Sequence, residues 1–460
     1  MKNIYKLALT LMITVSVISC KYVDIPLPQN ELPSDLTFSD DKAANAAVVG
    51  IYSRMNAYNY QFTNAMGGML MGGMLADDIY YALSTTAFNQ MRTNSLVPDH
   101  SYVRTMWDEP YGYIYQANAI IEGLESSSGV SASAKNQYLG EARFVRAFCY
   151  FYLVNYFGRV PLITNTDVLT NTVKPRTSID SVYNQIISDL VSAQELLGDD
   201  YPTAERTRPN KAVATALLAR VYLYRERWAD AEDEADKIIS DPRYQLIPLN
   251  QIFLKNSNET IWQLQTVNTS TAGVNTWEGF NVVPVSAGSR SYYNAYESFV
   301  NAIEPGDQRL TSYLNTYELN GQTYYFPYKY KVRTASPVVE YTMVLRTAEQ
   351  YLIRAEARAR QNNLDGARSD LDSIRLRAGL SPLPDNLNQA QLLLAVEQER
   401  RVELFAEWGH RWLDLKRTGR ALTVLSAEKP DIDENDLLLP IPASSINANV
   451  FLEPNPGYDY

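Results

Sequence analysis

Two histidines and two cysteines in 460 residues leave this chain nearly without the side chains from which most metal sites and nucleophilic catalysts are built. His100 and His410 have no second histidine at ligand spacing, and neither Cys20 nor Cys149 has a histidine partner in the surrounding sequence. No metal site, no cofactor and no catalytic residue is therefore expected. Basic charge is also short. The 41 Lys and Arg face 52 Asp and Glu, a net of −11, which excludes nucleic-acid binding through a phosphate-neutralising surface. Beyond the leader, no run of about 20 apolar residues could cross a bilayer.

The leader itself spans residues 1–19. Lys2 and Lys6 make a basic start, Leu7 to Ile18 form a short apolar run, and small Ser19 precedes Cys20. A cysteine directly after a cleavage point resembles the lipobox of bacterial lipoproteins, in which that thiol is lipidated and becomes the new N-terminus. Lipid on Cys20 gives the chain its membrane attachment, because more than one acyl chain anchors a protein stably. The alternative is an ordinary signal peptide with an incidental cysteine. Cleavage leaves 39 basic against 52 acidic residues, a net of −13. With Cys20 modified, Cys149 has no disulfide partner, so an exported fold must be held by its core; the chain is long enough for that. Residues 20–40, with Pro26, Pro28 and Pro33, read as an extended tether.

Apolar residues three and four apart predict helices at about 41–58, 110–125, 133–157, 179–197, 208–226, 229–240, 345–361, 364–378 and 388–407. Two helix pairs look alike. Ala219 and Ala231 stand as far apart as Ala355 and Ala367, twelve residues in both cases, and Pro242 and Pro382 follow. Small residues there let helices approach closely, in a manner similar to the tetratricopeptide pattern. The expected fold is mainly α, a tetratricopeptide-like helix-pair scaffold with long irregular loops rich in aromatics. An N-terminal helical part at 41–242 precedes a C-terminal part at 243–460, the two packed as one globular unit. Residues 243–343 and 421–460 carry the loops, where Tyr, Trp and Phe cluster without helical period. Of the 33 Tyr, 13 Phe and 6 Trp, most are expected in the core and a minority at a ligand.

Three constellations invite a chemical reading. Asp77-Asp78, beside Tyr80-Tyr81, is the carboxylate pair a glycosidase would need, though adjacent acids more often cap helices or face solvent. Met-Gly-Gly-Met-Leu occurs twice in tandem at residues 66–75; with no Gly-Lys-Ser/Thr after it, close backbone packing is the better reading than a phosphate loop. The run from Glu399 through Arg400, Arg401, Glu403 and Glu407 to Arg411, Asp414 and Arg417 is expected to be a structural ion-pair network that sets how the last helix meets the scaffold. Arg400 and Glu403, three apart, are in position to pair with each other.

The blocks Phe144-Val145-Arg146-Ala147, Tyr156-Phe157-Gly158-Arg159-Val160-Pro161-Leu162, Glu399 to Leu404, Arg411 to Leu415, Leu439-Pro440-Ile441-Pro442 and Asn455-Pro456-Gly457-Tyr458 together resemble the SusD/RagB family. They occur in the family's order and span the mature chain. Ser445 departs from the pattern, standing where an acidic residue is common, and the residues after Cys20 lack an acidic run. The resemblance implies a lipid-anchored outer-membrane protein of Bacteroidota, facing the cell exterior. Such a protein captures a nutrient, an oligosaccharide or a peptide, and passes it to a SusC-like TonB-dependent transporter. It implies binding without catalysis. On that reading, ring faces stack on sugar rings while polar side chains take the hydroxyls. Asp78, Tyr80 and Tyr81 in the early loop, with Trp277, Phe280, Tyr292 and Tyr293 in the aromatic insertion, are the expected ligand contacts. A secreted glycoside hydrolase and an adaptor that binds only protein are the alternatives.

Overall fold

The computed structural model describes residues 37–57, 71–267, 271–286 and 288–458. The leader, Cys20, most of the tether and the first copy of the Met-Gly-Gly-Met-Leu repeat lie outside them. The principal elements, in chain order, are α1 (Asp41–Met55), α2 (Gly72–Leu75), β1 (Ile79–Tyr81), α3 (Thr86–Thr93), α4 (Ser101–Ser126), α5 (Ala132–Phe157), α6 (Ile179–Leu196), α7 (Lys211–Tyr224) and α8 (Trp228–Ile239). Then follow β2 (Thr260–Leu264), α9 (Trp277–Val282), β3 (Tyr293–Ala295), α10 (Arg309–Tyr313), β4 (Leu314–Leu319), β5 (Gln322–Pro327), β6 (Thr342–Arg346), α11 (Thr347–Arg360), α12 (Leu364–Arg377), α13 (Gln389–Glu403) and α14 (His410–Arg417). Among the described residues no helix is long and apolar enough to cross a membrane.

The helices form where periodicity places them, and their ends have local causes. Asp40 caps α1 by accepting the Ala43 amide at 2.8 Å. Asn388 and Gln391 close a reciprocal capping box on α13. Gly158, at φ +71°, ends α5 in a conformation that a residue with a Cβ adopts only under strain. One start differs from expectation: α4 begins at Ser101, and Pro110 sits inside it rather than opening it. Buried Val103, Met106 and Trp107 carry the helix through the proline, whose missing amide breaks only one backbone bond.

Packing runs along a chain of neighbours, α4 on α5, α5 on α6, α6 on α7, α7 on α8, α8 on α11, α11 on α12 and α13. The two tetratricopeptide-like pairs, 211–239 and 347–377, are separated by over a hundred residues yet sit side by side. Ala219, Ala231, Ala355 and Ala367 are all fully buried. Glu349 of α11 accepts two hydrogen bonds of 2.6 Å from Arg220 of α7, buried on both sides. Arg358 of α11 reaches Glu232 of α8 at 2.8 Å.

The described residues of 243–343 hold more regular structure than their composition announced. They hold short helices and strands, and these strands pair in three two-stranded antiparallel ladders, β3 with the earlier β1, β2 with β6, and β4 with β5. β2 and β6 are buried throughout and brace α7 and α11. Asn320 and Gly321, both at positive φ, make the two-residue turn between β4 and β5. One buried apolar cluster runs from Phe38 to Leu452 and draws on both halves of the chain. Cys149 lies in it as a free thiol.

Candidate functional site

The β1–β3 ladder carries the aromatic groups. Its register sets Ile79 opposite Ala295, Tyr80 opposite Asn294 and Tyr81 opposite Tyr293. Successive side chains of a strand leave on opposite faces, so the neighbours Tyr80 and Tyr81 part company. Tyr80 packs on Tyr296, ring centroids 5.2 Å apart. Tyr81 turns to the other side, 4.9 Å from Tyr293, 6.0 Å from Tyr292 and 4.2 Å from Phe88 of α3.

On that side lies an open cleft of about 540 Å³, lined by Tyr81, Phe280, Asn281, Tyr292 and Tyr293, by residues 282–285 and 289–291, and by Arg333. Four residues named from sequence, Tyr81, Phe280, Tyr292 and Tyr293, thus come together from separate segments. Tyr292 is 40% exposed, Tyr81 and Phe280 are half-buried, and Tyr293 forms part of the floor at 6%. Phe88 and Tyr102 extend the group from α3 and α4, with Phe88 5.8 Å from Tyr102 and 6.2 Å from Tyr293. In sequence these two were indistinguishable from core rings of amphipathic helices.

Trp277 and Asp78 stand beneath this surface rather than on it. Trp277 is 2% exposed; its indole N–H donates to the Asn56 carbonyl at 3.0 Å, and its ring meets Phe280 edge-on at 6.0 Å. It holds Phe280 in place from below. Asp78 is equally buried, and its Oδ1 has no hydrogen-bond partner. Burial, then the neighbouring Asp77, push its carboxyl up to about 7. Asp77 differs from it. Burial opposes its charge, but Arg411 at 2.8 Å and 3.1 Å and Arg401 at 2.7 Å outweigh that and hold it below the usual carboxylate range. A carboxylate committed to two guanidiniums, one of them buried, is not free to work on a substrate. Asp77 instead ties the start of β1 to α13 and α14.

The charged run is an ion-pair network built around Glu403. Its carboxylate takes Arg346 at 2.6 Å, Arg309 at 3.1 Å, Arg377 and the Tyr313 hydroxyl at 3.1 Å. Arg346 continues to Glu259 at 2.8 Å and Glu407 at 2.8 Å, where Lys329 also binds. Arg400 does not pair with Glu403. It donates to Asp414 of α14 at 2.7 Å, and partners for Glu403 come from α10, β6 and α12 instead. Among the described residues no group of three or more His, Cys, Asp or Glu side chains is gathered so as to hold a metal ion.

Comparison with known proteins places these features in context. Residues 27–223 match a family model described as starch-binding and associating with the outer membrane, and residues 308–458 match the SusD family model. SusD-like protein P25 of Formosa agariphila is 25% identical over an alignment covering 94% of this chain and 95% of its own. Among solved structures, a SusD superfamily protein from Bacteroides vulgatus superposes with a TM-score of 0.80 at 20% identity, over 92% of this chain and 100% of the other. A laminarin-binding SusD-like protein gives 0.77 at 24% identity, with the same coverage.

Proposed function

We propose, from the premise that this chain belongs to the SusD family, that it is a glycan-capture protein of the outer membrane. Proteins of this family bind without catalysis. The ligand is an oligosaccharide, held in the cleft of Tyr81, Phe280, Tyr292 and Tyr293. The observation that carries this reading is the convergence there of four rings from three separate segments, with Asn281 and Ser289 among them. Rings supply apolar platforms for sugar faces, and a few amide and hydroxyl groups fix orientation. The relatives agree in kind, since one is described as laminarin-binding and one family model as starch-binding.

Lipid on Cys20 holds the protein at the outer membrane, and a SusC-like TonB-dependent transporter receives the captured glycan. The leader supports the first, and likeness to the family supports the second. The glycosidase alternative loses its carboxylate pair, because Asp77 is bound to Arg401 and Arg411 and Asp78 is buried.

The test is titration of oligosaccharides into the purified protein, followed by calorimetry and tryptophan emission. Tyr292→Ala, which removes the most exposed ring of the cleft, should weaken binding about tenfold, or ~1.4 kcal/mol. Unchanged affinity in both Tyr292→Ala and Tyr81→Ala would move the site elsewhere.

A further inference from the structure

We propose that the saccharide taken by this cleft is anionic, bearing carboxylate or sulfate groups that Arg290 and Arg333 receive. The inference rests on the cleft being the glycan site and adds the chemical class of its ligand. The chain as a whole is acidic, at −11, yet none of the residues lining the cleft carries a carboxylate. Two guanidiniums stand there instead, neither in an ion pair among the described residues.

Arg290 is exposed, with its Cζ 4.9 Å from the centroid of the Tyr292 ring. It is near enough to Tyr81 and Tyr317 for its charge to favour their ionised forms, which sets it over the ring cluster and not away from it. Arg333 lies on the opposite ring, Cζ 4.3 Å from the Phe280 centroid, and donates through Nη1 to the carbonyls of Phe280 and Val283. Burial lowers its pKa and no neighbouring carboxylate opposes that fall. Arg358, likewise part-buried, has Glu232 and Asp370 as acidic partners, whereas Arg333 has carbonyl oxygens alone among the described residues.

An arginine laid on an aromatic face is held by cation–π attraction, while its N–H edge stays free for an acceptor. Carboxylate and sulfate oxygens match that fork, and charge-assisted hydrogen bonds of this kind are about twice as strong as neutral ones. A wall without carboxylates adds no repulsion. Uronate and sulfate-ester sugars present the same oxyanion chemistry, and the experiment separates them.

The purified protein is titrated calorimetrically with three oligosaccharides of matched length: a neutral β-glucan, an oligogalacturonate and a sulfated galactan. One or both anionic probes should bind at least about tenfold more tightly than the neutral one, the better naming the oxyanion. Arg290→Gln, an exposed substitution, should remove most of that preference by weakening the anionic probes far more than the neutral glucan. Equal or tighter binding of the neutral probe, unchanged by Arg290→Gln, would overturn the anionic assignment and leave glycan capture standing. Silence from all three probes would bring down the glycan reading itself, and this inference with it.

Discussion

At the scale of single residues, the site divides into groups that face a ligand and groups that support them. Sequence named both kinds without telling them apart. Tyr81 and Tyr292 reach the cleft, Tyr80 leaves on the other face of its strand, and Trp277 and Asp78 are underneath. Position in a stretch read as loop is shared by all five, and only pairing register and depth separate them. Asp78 also has a thermodynamic signature. Its folded pKa, about 7, lies above its unfolded value, so the native state holds the proton more tightly. Its contribution is present in full below the unfolded pKa, at about 4, and is lost as pH rises through about 7. Asp78→Asn should abolish that loss. The melting temperature of the variant relative to the parent should climb between about pH 4 and pH 7 and then level off. A difference independent of pH would mean that Asp78 is ionised in the fold.

At the scale of elements, the second copy of the glycine motif shows what its glycines do. A Cβ on Gly72 would stand 2.2 Å from the Gly409 Cα and 3.1 Å from the Tyr156 hydroxyl, so α2 and the start of α14 meet backbone to backbone. The close-packing reading is correct for that copy. Gly72→Ala should cost about 1–3 kcal/mol in urea unfolding, the range of overpacking, or more if the turn at Gly409 cannot give. A neutral effect would show that the contact opens freely. The turn in question also explains a misjudged boundary. Periodicity carried one helix through 388–407, but α13 stops at Glu403, and Ala406, Trp408 and Gly409 all take positive φ before α14 begins. Ala and Trp carry no turn signal, so the break was not legible. The Asn320-Gly321 pair was a legible hairpin signal in a segment read only as loop.

At the scale of the molecule, two networks tie distant segments of the chain together. In the first, the Asn455 amide donates to the carbonyls of Phe157 at 3.0 Å and Leu439 at 2.8 Å, while the Leu439 amide donates to Tyr156 at 2.8 Å. Blocks quoted separately from the sequence therefore meet at one place. In the second, Glu403 is wholly buried; burial opposes its charge, but Arg377, Arg346, Arg309 and Lys329 hold it well below the usual range. Removing one member of a buried ion network leaves the others without counter-charge. Glu403→Gln should cost about 3–5 kcal/mol, read from denaturant midpoints, or prevent soluble expression. A loss under about 1 kcal/mol would mean that Glu259, Glu399 and Glu407 absorb the freed guanidiniums.

Sequence alone determined the helical scaffold, the kinship of the two helix pairs and the structural role of the charged run. Each of these is written in local spacing: apolar residues every three or four, small residues at matching intervals, acids and bases in one stretch. Tertiary structure decided which charges pair, because partners for Glu403 and Asp77 come from segments far off in the chain. It also decided which aromatics form one surface. Tyr81, Phe280 and Tyr292 are brought together by a strand pairing across more than two hundred residues, and no local pattern encodes which face of a short strand a neighbouring helix will cover.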